Sequence, residues 1–61
     1  MNVKRLRARC ELTQAELAKR VKVSQAFIAQ LETGVEDNPT LDTLRRLAKA
    51  LKVSLAELVG G

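Results

Sequence analysis

Four hydroxyl side chains, each standing directly before a stretch of helical periodicity, constrain this chain to a series of short helices. A Ser or Thr in that position accepts a hydrogen bond from a backbone N–H that the first helical turn leaves without a partner. Three Gly and one Pro in 61 residues allow few other turns. The sequence therefore predicts a compact all-α domain of five short helices. The last four of these helices follow the caps Thr13, Ser24, Thr40 and Ser54.

The spacing of apolar residues sets the expected limits of the first three helices. Apolar positions three and four residues apart predict a first helix over about residues 2–10. Residues 13–16 have the pattern of a capping box, which begins the second helix. A third helix is expected over 25–33, because Gly34 supplies the left-handed residue that commonly follows a helix end.

The second half of the chain is predicted to contain one loop, over residues 35–39, and two more helices. A second capping box over residues 54–57 begins the short fifth helix, which ends before the two terminal glycines. The fourth helix has an apolar stripe facing the core, formed by Leu41, Leu44, Leu47, Ala48 and Leu51.

Composition excludes several classes of function. The chain has no His, and its only Cys is Cys10, so it cannot build a zinc site, a disulfide framework or a Ser-His-Asp centre within one copy. No run of about 18 apolar residues is present. We therefore expect a single domain over residues 1–61 that is not an enzyme, uses no cofactor or metal, avoids membranes and resides in the cytoplasm.

Charge is distributed unevenly along the chain. Eleven basic and seven acidic residues give a net charge of +4, which favours an anionic partner. Residues 1–22 carry seven bases and two acids, whereas residues 23–44 carry four acids and no base. Residues 45–61 carry four bases and one acid. A polyanion must therefore be held from two separate segments rather than by a uniform basic coat.

Residues 14–33 have the pattern of two short helices joined by a tight break. Small Ala18 stands where the two helices would cross, and Ile28 and Leu31 would fix the second helix on the core. One face of the second helix then remains outside the core. That face consists of Gln25, Ala26, Ala29, Gln30 and Thr33.

The sequence resembles the phage-repressor helix-turn-helix family (lambda repressor and Cro-like, XRE-type). Three consecutive segments carry the resemblance: LRARCELT, QAELAKRVKVSQAFIAQLETG and NPTLDTLRRLAKALKVSLAEL. The resemblance runs from Val3 to Leu58. Four signatures agree in order: the leading Arg7, the Gln-Ala-Glu-Leu-Ala start, the Leu-Glu-x-Gly end and the Pro-Thr-Leu-x-x-Leu helix. The family implies sequence-specific binding of double-stranded DNA by a transcriptional regulator, most often a repressor, with the third helix in the major groove.

The resemblance also implies roles for individual residues. Gln25, Ala26 and Gln30 match positions that read bases, with Ala29 on the same face, and Gln14 matches a position that grips a backbone phosphate. Arg7 and Glu32 match a pair that bonds the first helix to the end of the third. The remaining DNA-binding positions, matched to sugar-phosphate or phosphate contacts, are Lys22, Ser24, Phe27 and Arg45.

The chain departs from the family pattern at three places. Glu11 and Lys22 stand where the family often has Gly, at a cost on the order of 1 kcal/mol each if the backbone stays left-handed. Glu36 and Asp37 stand in a loop where relatives commonly carry basic or neutral residues near the DNA backbone.

Alternatives remain open at this point. Phe27 is as well explained by core packing as by contact with the DNA edge. A helix-turn-helix fold can also serve as an antitoxin-like or assembly module whose surface binds a protein.

The short fifth helix presents Leu55, Leu58 and Val59, which are too many apolar side chains to bury within one copy of a DNA-binding protein. This predicts a homodimer through the C-terminal helix and an inverted-repeat operator.

Overall fold

The computed structural model describes residues 1–60 and is all-helical over that range, which confirms the predicted fold class. The first helix ends one residue earlier than expected, and the third helix has the predicted limits. The five helices are α1 (Val3–Arg9), α2 (Gln14–Val21), α3 (Gln25–Thr33), α4 (Leu41–Leu51) and α5 (Leu55–Val59).

Hydroxyl caps begin four of the helices. Each of the four predicted cap residues has an extended backbone, and its side-chain oxygen accepts the N–H of the residue three positions on. The capping box of α2 is complete, since the backbone N–H of Thr13 also donates to Glu16 Oε1 at 2.8 Å. The second predicted box forms only in half. The Glu57 carboxylate lies 3.5 Å from Arg9 Nη1 instead, because a tertiary partner competes with the local one.

The core is aliphatic and takes side chains from all five helices. One expectation about it is wrong, and a second holds only in part. Leu41 is 54% exposed, because it occupies the first position of α4, where the helix emerges from the loop. Leu58 is fully buried, which leaves Val59 and half-buried Leu55 as the apolar surface of α5. The buried residues are Val3, Leu6, Leu17, Ala18, Val21, Ile28, Leu31, Leu47, Ala48, Leu51 and Leu58.

Four turns place a residue in the left-handed region. Gly34, with φ of 86°, ends α3 as predicted. Glu11 and Lys22 keep the left-handed backbone that the family's glycines would favour, with φ of 57° and 64°. Lys52, at the end of α4, also has φ of 60°, which the sequence pattern did not indicate. Three turns thus carry a side chain in a conformation that glycine adopts at lower cost.

Replacing Glu11 with Gly should raise the free energy of unfolding by up to about 1 kcal/mol, because glycine removes the steric cost at φ of 57°. The measurement is urea denaturation followed by circular dichroism. Glu11→Ala is the matched control, since it removes the same side chain but keeps the strained backbone. Equal stabilisation by both variants would assign the gain to the lost carboxylate rather than to the backbone.

Candidate nucleic-acid interface

The break between α2 and α3 consists of three residues with distinct tasks. Lys22 turns the chain in the left-handed conformation, and the N–H of Val23 donates to the Ala18 carbonyl at 3.0 Å. Ser24 Oγ then accepts the N–H of Phe27 at 3.0 Å and begins α3. Ala18 is buried, and α2 and α3 pack against each other, so the two helices form a fixed pair.

The outer face of α3 carries amides and small side chains. Gln25, Ala26 and Gln30 are exposed, whereas Ala29 is half-buried. Within residues 1–60, neither glutamine side chain makes a hydrogen bond. The opposite face holds Ile28 and Leu31 in the core. The face predicted from the sequence is therefore presented to solvent with its amide groups available.

Phe27 lies at the edge of this face rather than on it. Its ring is half-buried and packs against the core cluster. Of the two interpretations left open by the sequence, this position favours packing. Lys22, Ser24 and Arg45, expected beside the sugar-phosphate backbone, are all exposed.

A part-buried polar network joins α1, α2 and α3. Arg7 Nε donates to Glu32 Oε2 at 2.6 Å and Nη2 donates to Oε1 at 3.2 Å, so the arginine holds the carboxylate with two parallel bonds. Arg7 Nη1 also donates to the Leu12 carbonyl at 2.8 Å. Only 4% of the Glu32 side chain and 16% of the Arg7 side chain are exposed. The structure thus brings together the two residues that the resemblance paired.

Gln14 is the third member of this network, and sequence reasoning missed that contact. Its Nε2 donates to Glu32 Oε1 at 3.0 Å. Gln14 was expected to contact a phosphate, but one of its two amide N–H bonds is directed at the carboxylate of Glu32. No local spacing rule could have found the contact, because it depends on how the start of α2 approaches the end of α3.

The network sets the protonation behaviour of Glu32. Burial raises the pKa of this carboxyl group, but the hydrogen bonds from Arg7 and Gln14, with the charges of Arg7 and Lys4, outweigh burial and hold the pKa below its usual range. The pKa of Arg7 is raised by its hydrogen bond to Glu32. Both groups therefore remain charged near neutral pH.

The loop after α3 is acidic. The Glu36 N–H donates to the Gln30 carbonyl at 3.0 Å, and Glu36 Oε1 accepts the Asn38 N–H at 3.0 Å. Asp37 is exposed. The two carboxylates therefore follow directly on the C-terminus of α3, where the helix dipole already carries partial negative charge.

Residues 1–60 contain neither a metal-binding cluster nor a membrane-spanning helix. No group of three His, Cys, Asp or Glu side chains in that range is arranged to hold a metal ion. None of the helices described there has the length and apolar character required to cross a bilayer. Cys10 is half-buried, and its Sγ lies 3.5 Å from the Leu51 carbonyl, in keeping with the packing role of an apolar position.

Known proteins resemble this chain over most of its length. The sequence profile of the family described as Helix-turn-helix matches residues 3–58. The uncharacterized HTH-type transcriptional regulator y4dJ of Sinorhizobium fredii is 48% identical over 58 residues, which are 95% of this chain and 74% of that protein. The immunity repressor protein of Bacillus phage phi105 is 34% identical over 58 residues, which are 95% of this chain and 40% of the repressor.

A third relative is an antitoxin by name. Antitoxin HigA1 of Mycobacterium tuberculosis is 44% identical over 50 residues, which are 82% of this chain and 33% of the antitoxin. The chain spans from 27% to 74% of the length of the curated relatives that it matches. No solved structure matches the chain significantly.

Removing the positive partner of the buried pair, in Arg7→Met, should lower the free energy of unfolding by about 3 kcal/mol, because the Glu32 carboxylate would stay buried without its cation. Urea denaturation measures this change. Glu32→Gln should cost less, since it leaves Arg7 partly exposed and neutralises the buried acid. Equal costs for the two variants would contradict this account.

Acid should destabilise the protein through the same carboxyl group. A folded-state pKa below the unfolded value gives stability that is present at neutral pH and is lost as pH falls through the folded pKa. The wild type should therefore lose stability below about pH 5 more steeply than Glu32→Gln. The measurement is the urea midpoint from neutral pH to acid. Because the pKa of Glu16 is also lowered, by its bonds with Thr13, only the difference between the two proteins reports on Glu32.

Proposed function

The chain belongs to the helix-turn-helix family, and on that basis we propose that it binds double-stranded DNA sequence-specifically as a transcriptional regulator, with repression as its effect. In this proposal α3 lies in the major groove with its N-terminal end against the bases. No catalytic activity is part of the proposal. A regulator of bacterial or phage type would act in the cytoplasm.

The observation that carries this proposal is the free amide face of α3. A glutamine amide can both accept and donate, and so pairs bidentately with adenine N6 and N7 in the major groove. Gln25 and Gln30 supply such amides, and the Ala26 methyl group between them can contact a thymine methyl group. Small side chains leave room for the helix to approach the base edges, whereas a docking site for a protein would expose larger apolar groups.

Phosphate contacts are proposed from the residues around this face. The first turn of α2 leaves backbone N–H groups that favour an anion, and the second Nε2 hydrogen of Gln14 is available to the same phosphate. Gln14 would then connect the DNA backbone to the network that fixes α3. Exposed Lys22, Ser24 and Arg45 are proposed to contact neighbouring phosphates, with Phe27 and Ala29 at the protein–DNA boundary.

We propose that the DNA-bound form is a homodimer through α5. Val59 is 47% exposed and supplies the main apolar group of this surface, with half-buried Leu55 beside it. Helix-turn-helix dimers hold their recognition helices roughly 34 Å apart, so each copy reads one half of a two-fold site.

Selection of bound sequences from a random pool of duplexes tests the proposal. Recovery of a specific inverted repeat supports a dimeric DNA-binding regulator. A specific site without two-fold symmetry would contradict the dimer and leave DNA binding in place. A pool that gains no preference would contradict sequence-specific binding itself.

The similarity to an antitoxin favours a second candidate, a module whose surface binds a protein partner. The two candidates differ in the salt dependence of binding to DNA. A DNA-binding protein loses affinity for random duplex steeply as salt rises, because it releases counterions from the phosphates it contacts. Weak and salt-independent binding would favour the protein-binding candidate.

Gln25→Ala should weaken binding to the selected site by roughly 1–3 kcal/mol and relax base preference at one position in each half-site. The reason is that the variant removes a base contact and leaves the phosphate contacts unchanged. Fluorescence anisotropy on the selected duplex and on a random duplex measures both effects. Gln30→Ala should relax a different position. A parallel loss on both duplexes would show that Gln25 does not read a base.

Replacing Glu36 and Asp37 together with Lys should strengthen the dependence of DNA affinity on salt. The loop would change from repelling to attracting phosphate and could add up to two contacts. The slope of log affinity against log salt should then steepen by up to about 1.8, at about 0.9 for each contact. A salt titration on a selected and a random duplex provides the measurement, and base preference should stay constant. An unchanged slope would mean that the loop points away from DNA.

A further inference from the structure

A basic depression lies away from the recognition face. Two adjoining concavities, of about 390 and 330 Å³, share Arg20, Ala50 and Lys52. No residue between 21 and 45 lines either of them, so the α3 face is not part of this surface. We call it the basic trough. Half-buried Leu12 and Ala50 contribute apolar surface to it, and its five basic residues are Arg9, Arg20, Arg46, Lys49 and Lys52.

Part of the positive charge in the basic trough is uncompensated. Arg9 lies 3.5 Å from a Glu57 oxygen, and Arg46 lies 3.0 Å from an Asp42 oxygen. Among residues 1–60, no carboxylate approaches within 4.0 Å of the other three basic side chains, those of Arg20, Lys49 and Lys52. A concave surface of this charge attracts an anionic group.

The same protein carries a surface of complementary character. Residues 35–42, here called the acidic loop, include three carboxylates and no basic residue. Val35 and Leu41 lie at its two ends with exposures of 76% and 54%, the highest of the large apolar side chains in residues 1–60. The acidic loop therefore offers carboxylates together with apolar groups, and the basic trough offers cations together with an apolar surface.

We propose that the acidic loop of one copy docks into the basic trough of a second copy. Glu36 and Asp37 face the uncompensated cations there, and the two exposed apolar side chains cover the apolar part of the trough. The acidic loop and the basic trough adjoin along α4, since Asp42 lies 3.0 Å from Arg46, and this helix of 11 residues extends about 16 Å from the loop to the far end of the trough. When α4 of two copies run antiparallel, both contacts form at once and close a two-fold pair.

This contact is distinct from the proposed α5 interface. All measurements therefore use a protein that carries Val59→Glu as its background, because this substitution removes the exposed apolar side chain of α5. Analytical ultracentrifugation without DNA is run at about 0.05 M and about 0.5 M salt. We expect a pair that forms at low salt and weakens at high salt, because exposed charges are screened. A monomer at low salt in this background would overturn the proposal.

Charge reversal tests the contact directly. Lys49→Glu with Lys52→Glu should weaken association at least about tenfold, although it lowers the net charge of the Val59→Glu background from +3 to −1 and so reduces overall repulsion. Glu36→Lys with Asp37→Lys should weaken it as well. Arg5→Glu with Lys19→Glu is the matched control, since it makes the same change in net charge at exposed positions outside both surfaces and should not weaken association.

Mixing the two reversed proteins provides a rescue. In the mixed pair the unchanged acidic loop of one protein faces the unchanged basic trough of the other, and the two introduced lysines face the two introduced carboxylates, so the mixture should associate although neither protein does so alone. Recovery also shows that both variants are folded. Failure of the mixture to associate, or unchanged association of either variant, would overturn the proposal. Because DNA is absent throughout, neither result bears on the proposed DNA binding.

Discussion

The bidentate contact between Arg7 and Glu32 determines how the rest of the molecule can be used. A carboxylate that is only 4% exposed is costly to bury, and it is tolerated here because the arginine and Gln14 satisfy its oxygens. These bonds join three helices at one point. The orientation of α3 is therefore set from its C-terminal end by the network and from its other face by Ile28 and Leu31. The exposed amides project from a helix whose position is fixed on two sides.

Local signals made most of the fold predictable. The caps at Thr13, Ser24, Thr40 and Ser54 depend on hydrogen bonds to a backbone group three residues away, which sequence spacing describes well. Where the structure differs, a distant contact decided the outcome. The Glu57 carboxylate meets Arg9 rather than completing its capping box.

The candidate site was predictable to a smaller extent, and from two different sources. The outward face of α3 followed from periodicity alone, because Ile28 and Leu31 had to be buried. The pairing of Arg7 with Glu32 followed only from resemblance to a family, since 25 residues separate them. Neither source indicated the contact between Gln14 and the same carboxylate, because it depends on how α2 and α3 pack together.

Asn2, which directly precedes α1, is hydrogen-bonded to α5. Its backbone N–H donates to the Leu58 carbonyl at 3.0 Å, and its side-chain Nδ2 donates to the Glu57 carbonyl at 3.0 Å. Segments fused to either end would therefore leave the molecule from nearly the same place, and a short linker could close the chain into a circle. The order of the helices along the chain could thus be changed without changing how they pack. A circular permutant opened at an exposed turn would retain the same neighbours around α3.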